Sequence, residues 1–220
     1  MNKQIIVLAT RNYGKTKEIK NLLDNSLIQI KDLNDFGPIP EVKETGKTFD
    51  ENAYIKASFA SKVLGLPAMA DDSGLVVDAL DGKPGVYSAR YGGENATDKD
   101  KCLKILNEMK SITNRKASFE CVISIAIPTG PALTYEASCQ GIITRELIGN
   151  NGFGYDPIFF YEEFNKTFAE MTPEEKSSVS HRGKALSQVK NEIDKIIKWL
   201  NIQIPKDEKF NAGNIYCSNT

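Results

Sequence analysis

Two carboxylates stand side by side in Met69-Ala-Asp-Asp-Ser-Gly-Leu-Val-Val, namely Asp71 and Asp72, inside a run that otherwise reads as buried strand. Like charges this close repel, and each is costly to desolvate unless something pairs with it. Either the acids lie at an exposed turn or they hold a cation. Glu44, in a loop upstream, adds a third hard oxygen donor. Mg2+ takes such ligands, one or two from protein and the rest from water and phosphate. A solvated loop charge at Glu44 and a hydrogen-bonded turn at Asp71-Asp72 are the plain alternatives.

Three further constellations could carry chemistry. Thr10-Arg-Asn-Tyr-Gly-Lys15 joins an apolar strand to an amphipathic helix. Backbone N–H groups at a helix N-terminus, with a hydroxyl, an amide and a lysine beside them, suit a phosphate. The stretch is not a Walker loop, because the glycines and the G-K-S/T ending are missing. Gly152-Phe-Gly-Tyr-Asp-Pro157 sets two aromatics among glycines, so that a ring and backbone N–H groups can approach a planar ligand. Glu175 to Gly183 places Lys176, His181 and Arg182 within a few residues, and His181 is the only histidine. Each stretch also has a plain reading: an ordinary strand-to-helix turn, an aromatic-anchored turn and a surface histidine. A phosphate cradle, a cation site, a stacking loop and a basic cluster together fit a magnesium-dependent site for a nucleoside triphosphate.

The elements that must position these groups are legible from periodicity. Gln4 to Thr10 reads as a buried strand, and a helix begins near Gly14 with Ile19, Leu22 and Leu23 inward. Leu27 to Lys31 alternates as a short strand, and Asp32 to Gly46 is a Pro/Gly loop. Thr48-Phe-Asp-Glu51 matches a capping box, followed by Ala53, Ala57, Ala60 and Val63 at helical spacing. Pro67 to Leu80 reads as two short strands around a turn at Asp71 to Gly74. Thr97 caps a third helix that runs through Met109. Ala117 to Pro128 and Ala132 to Leu147 form a hairpin about Thr129-Gly130-Pro131, with Phe119, Cys121, Ile123, Ile125 and Ile127 on one face. Thr172-Pro-Glu-Glu175 is another capping box, and one long helix covers Gly183 to Leu200. Residues 206–220 are polar and aperiodic and read as a loose tail. Hairpins and β-helix-β units together indicate an α/β fold with a mixed sheet.

Composition narrows the class. The chain has 220 residues, 28 Lys plus Arg and 29 Asp plus Glu, so a global basic field for nucleic acid is absent. No apolar run approaches a membrane span, and Ile5 to Ala9 is too short for a signal peptide. The four cysteines, at 102, 121, 139 and 217, form no C-x-x-C pair. They read as reduced thiols of a cytoplasmic protein, with Cys102, Cys121 and Cys139 on helix or strand segments and packing in the core.

Val7 to Ile19, Glu44 to Ala57, Ala70 to Gly93, Asn151 to Phe160 and Glu174 to Leu186 resemble, in order, the motifs of the Ham1/RdgB-type inosine triphosphate pyrophosphatases. The resemblance implies a two-lobed α/β fold around a long bent mixed sheet, here residues 1–205 with the cleft between the lobes, and a homodimer. It implies Mg2+-dependent cleavage of ITP, dITP and XTP to the monophosphate plus pyrophosphate, with neither nucleic acid nor membrane as partner. Thr10, Arg11, Asn12, Tyr13, Gly14 and Lys15 would bind the triphosphate, with Lys56 reaching phosphate. Glu44 and Asp72 would hold magnesium, with Asp71 a further candidate ligand. Asp72 would also act as general base, and Ser73 would touch substrate. Phe153, Gly154, Tyr155 and Asp156 would hold base and sugar, and Lys176, His181 and Arg182 would complete the pocket. Backbone N–H groups and Arg182 would pair with the purine 6-oxo group. The rival readings are a Maf-like pyrophosphatase acting on other modified nucleotides and a nucleotide-binding regulator without turnover. The tail runs past where members of that family usually end.

Overall fold

The computed structural model describes residues 3–23, 27–93 and 95–204. The tail expected over 206–220 lies outside them. Strand β1 (Gln4–Leu8) leads into helix α1 (Tyr13–Leu23) and strand β2 (Ile28–Asp32). After the Pro/Gly loop come α2 (Phe49–Leu64), β3 (Ala68–Val77) and α3 (Asp98–Glu108). The hairpin β4 (Lys116–Ala126) and β5 (Ala132–Ile143) precedes two short strands, β6 (Phe159–Tyr161) and β7 (Lys166–Thr167). Helices α4 (Pro173–Val179), α5 (His181–Asn191) and α6 (Ile193–Gln203) finish the described chain. Among the described residues the strands form one mixed seven-stranded sheet in the order β2-β1-β3-β4-β5-β6-β7. Strand β1 runs parallel to β2 and β3, and every pair from β3 onward is antiparallel.

Alternation along the central strands sorts side chains between two faces. Ile6, Leu8 and Met69 pack with Ile19 and Leu23 of α1 and with Ala185, Leu186, Val189, Ile196 and Leu200 of α5 and α6. Val7, Ala9, Ala68 and Ala70 pack on the other face against Ala57 and Ala60 of α2. The small residues let α2 lie close to the sheet. A further core, with Leu75, Val77, Cys102, Ile105, Phe119, Phe159 and Phe168, gathers the distal strands and α3. Thr48 and Thr172 each cap a helix through a complete capping box, as their sequences predict, and Thr97, read only as a cap, completes one with Asp100. Cys102, Cys121 and Cys139 are buried and free, as expected of core thiols. Among the described residues no helix is long and apolar enough to cross a membrane.

Two expectations are corrected. Strand β3 is continuous through Asp71 to Gly74, each residue paired with β4, so there is no turn there. The Ser-Gly signal has another cause: a methyl at Gly74 would stand 2.4 Å from the Gly85 carbonyl oxygen and from Ser88 Oγ, so the glycine admits a segment crossing the strand. The last helix is two, α5 and α6, broken at Glu192. Leu186, Val189, Ile196 and Leu200 face one core across the break, and no Pro or Gly marks it.

Candidate functional site

The site forms where β1 leaves the sheet. β1 pairs with β3 only at Val7 with Ala68 and Leu8 with Met69, and the Ala9 N–H reaches Met69 O at 2.8 Å. Past that point the chain turns through Thr10 to Asn12 into α1, while β3 runs on beside β4. A cleft of ≈ 620 Å³ opens there, at the carboxyl end of a parallel strand pair, where α/β sheets place ligands.

Consecutive strand residues point to opposite faces, which separates the two acids. Asp71 shares the face of Met69 and meets α1 and α5. Lys15 Nζ lies 2.9 Å from its Oδ2, Arg182 Nε and Nη2 each donate to it at 3.1 Å, and Ser73 Oγ donates at 2.8 Å. Burial works against the Asp71 charge, but Lys15 and Arg182 outweigh it and hold the carboxyl far below the usual range. Asp72 shares the face of Ala70 and meets α2. Lys56 Nζ lies 2.8 Å from Oδ1, and Asn52 Nδ2 donates to Oδ2 at 3.3 Å. Burial, only partly offset by Lys56, pushes the Asp72 carboxyl up. Lys56 also holds Glu44 Oε1 at 2.7 Å, and Arg90 Nη1 stands 3.9 Å from Oε2. Burial opposes the Lys56 charge, yet Asp72, Asp71 and Glu44 together raise its pKa.

Alternating charges run on from Asp71 to the other end of the cleft. Arg182 Nη1 is 2.7 Å from Glu18, which stands 3.9 Å from Lys176, and Lys176 is 2.6 Å from Asp156. Phe153 lies under these cations, with Lys176 Nζ 4.5 Å and Arg182 Cζ 5.7 Å from its ring centre. His181 is buried and stacks on Phe119, with ring centres 4.7 Å apart and planes 10° apart. Burial, then Arg182 and Lys176, hold its pKa well below the usual value, so the ring is neutral at pH 7.

At the end formed by the N-terminus of α1, Asn12 Oδ1 accepts the Lys15 N–H at 3.1 Å and starts the helix, and Thr10 Oγ1 accepts the Asn12 N–H at 3.1 Å. At the aromatic end, Asp156 accepts the Phe153 N–H at 2.9 Å, Asp98 accepts the Gly154 N–H at 2.7 Å, and the Tyr155 hydroxyl donates to Ser88 O at 2.8 Å. The donors expected to meet a 6-oxo group are thus already engaged, Arg182 by Asp71, Ser73 and Glu18. A ligand would take them over by exchange.

Thr10, Arg11, Asn12, Gly14, Lys15, Glu44, Lys56, Asp72, Ser73, Phe153, Gly154, Tyr155, Asp156, Lys176, His181 and Arg182 all line the cleft. Asp71 lies behind it, stitching α1 and α5 to the sheet through Oδ2, while Oδ1 is buried without a hydrogen-bond partner. The side chain of Tyr13 lies outside the described residues. Sequence reasoning missed Asn52, Glu18, Asp98 and Phe119. Helical spacing carried a signal for two of them, since Asn52 precedes Lys56 by four and Glu18 follows Lys15 by three.

Glu44 and Asp72 converge on one ammonium, whereas no cluster of three or more His, Cys, Asp or Glu that could hold a metal occurs among the described residues. Two convergent carboxylates beside the N-terminus of α1 fit a cation that takes one or two protein oxygens and fills its shell from other ligands and water.

The Ham1 family profile matches residues 6–192. A dITP/XTP pyrophosphatase of Desulfotalea psychrophila is 56% identical over 204 residues, 93% of this chain and 92% of that protein. One of Syntrophobacter fumaroxidans is 53% identical over 213 residues, 97% of this chain and 91% of that protein. A HAM1 protein from Coxiella burnetii superposes with a TM-score of 0.83 at 44% identity, covering 87% of this chain and 99% of that one. With its seven-stranded mixed sheet, its cleft beside β1 and these matches along most of its length, the chain belongs to the Ham1 family.

Proposed function

We propose that this protein hydrolyses noncanonical purine nucleoside triphosphates, dITP, ITP and XTP, to the monophosphate and pyrophosphate, as a cytoplasmic homodimer. Residues 1–205 would form one two-lobed unit around the cleft. The observation that carries the reading is the convergence of Glu44 and Asp72 on Lys56, between a helix N-terminus at Thr10 to Lys15 and an aromatic loop at Phe153. The names of the relatives supply the substrate class.

The triphosphate would lie on the N-terminus of α1, where backbone N–H groups and Lys15 would meet its oxygens. Glu44 and Asp72 would hold a magnesium ion, which when bound neutralises phosphate charge and the leaving pyrophosphate. Asp72 would take the proton of the attacking water, a task helped by its raised pKa. Water adds across the anhydride, one oxygen going to the monophosphate and the broken bond's electrons to pyrophosphate. Lys56 orients Asp72 and stands near the phosphates. The nucleobase would stack on Phe153, and the neutral His181 ring lines the same cleft, its Nδ1 buried without a hydrogen-bond partner.

Steady-state turnover with separate assays of pyrophosphate and monophosphate tests this. We expect equimolar products, with kcat/KM for ITP, dITP and XTP about a hundredfold or more above that for ATP and GTP, as hydrogen-bonded recognition allows. Asp72→Asn should lose about 10² or more in kcat at saturating Mg2+. Comparable rates on ATP, or orthophosphate as the sole released product, would overturn the reading.

A further inference from the structure

We infer that Asn52 is a positioning residue for the reaction, setting the orientation of Asp72 and its separation from the Glu44 loop. The inference rests on the role proposed for Asp72. Asn52 lies in the first turns of α2 and is 0% exposed. A buried amide in a helix is costly unless its polar atoms are bonded. Both ends of this one are used: Oδ1 accepts the Gly46 N–H at 2.8 Å, and Nδ2 donates to Asp72 Oδ2 at 3.3 Å.

The two partners matter. Gly46 lies two residues beyond Glu44, so its bond to Asn52 fixes the loop that carries that carboxylate. The loop is pressed tightly onto the helix, because a methyl at Gly46 would stand 2.7 Å from Asn52 Oδ1 and from Glu51 Cβ. One helical turn on, Lys56 spans Glu44 and Asp72 at 2.7 and 2.8 Å. Asp72 is therefore held at each oxygen by a different residue of α2, Oδ1 by Lys56 and Oδ2 by Asn52. Two fixed contacts define the plane of the carboxylate, where Lys56 alone would leave it free to swing. Small misplacements at a reacting centre are expensive, about 10² in rate for 1 Å.

The test compares Asn52→Leu and Asn52→Ser, each alone and in the Asp72→Asn background, with ITP at saturating Mg2+. Leucine keeps the volume and loses both contacts. Serine stays polar and is too short to span Gly46 and Asp72, and it serves if leucine fails to fold. The expected result is a drop in kcat of about tenfold or more with KM within about threefold. In the Asp72→Asn background the same substitution should change kcat by less than about twofold, because residues that act through one group are not additive. A loop-fastening role alone would lower activity equally in both backgrounds, and that result overturns the inference. So does a change in KM with kcat intact, or loss of the fold in both variants. Near-normal turnover in Asp72→Asn itself would overturn the role of Asp72 and this inference with it. A hundredfold loss in Asp72→Asn with unchanged kcat in Asn52→Ser overturns the inference alone.

Discussion

Asp71 and Asp72 differ by one position and by everything around them. Asp71 neutralises Lys15 and Arg182 from two helices on one face of β3, and Asp72 faces Lys56 and the cleft on the other. Asp71→Asn keeps the shape and leaves Lys15 and Arg182 short of a counter-charge. Removing one partner of a buried ionic set costs about 3 to 5 kcal/mol, so denaturant unfolding at pH 7 should show a loss of that order. The pH dependence has a definite sign. The folded-state pKa of Asp71 lies below the ordinary 3.8, so its contribution is present above 3.8 and fades as pH falls below it. The gap between wild type and Asp71→Asn should therefore narrow from pH 7 to about pH 3, and an unchanged gap would rule out the ion pairs as its cause. Turnover should fall less than in Asp72→Asn. Sequence motifs announced both acids, along with Lys15, Lys56, Phe153 and Arg182. They did not announce Glu18, Asn52 or Asp98, because each meets a partner distant in sequence: Arg182 for Glu18, Asp72 for Asn52 and the Gly154 N–H for Asp98.

At the scale of elements, capping boxes and apolar periods read true because they are local. Thr48, Thr97 and Thr172 start helices by bonds made within three residues. The error over β3 arose from a long-range contact. Ser73-Gly74 has turn composition, but Gly74 is there for the segment of residues 85–88 that crosses the strand. Ser88 Oγ accepts the Leu75 N–H at 2.9 Å and donates to Gly85 O at 2.6 Å, so this segment is bonded in place and cannot retreat without loss. Gly74→Ala should accordingly destabilise the fold by about 1 to 3 kcal/mol, the usual range for overpacking. Urea unfolding measures it, and a change below about 0.5 kcal/mol would mean that the crossing segment yields freely. The division of α5 from α6 was likewise illegible. Both helices bury their apolar residues in the same core, so periodicity runs unbroken through Glu192.

For the molecule as a whole, charge decides how substrate arrives. The chain carries a net charge of −1, yet its cleft is lined by Arg11, Lys15, Lys56, Lys101, Lys176 and Arg182. Arg11 donates to the Ile39 carbonyl, and each of the other five lies against a carboxylate: Asp71 for Lys15 and Arg182, Glu44 and Asp72 for Lys56, Asp98 for Lys101 and Asp156 for Lys176. A cation already paired projects little field beyond a few ångströms, so the cleft has no strong long-range pull on a polyanion. Its attraction would be local, with phosphate oxygens replacing carboxylates only after contact. Exposed charges are screened over about 10 Å at 0.1 M salt, which would sharply slow a site that relied on steering. Here kcat/KM for ITP, at fixed free Mg2+, should fall by less than about threefold as KCl rises from about 0.05 to about 0.3 M. Initial-rate measurements at substrate well below KM would show it. A tenfold fall would mean that the pairs open before substrate arrives and that the cleft presents bare cations to solution. A flat response fits exchange within a neutral, preorganised cleft, where the partners of Lys15, Lys56 and Lys176 hold these cations in position until phosphate takes their place.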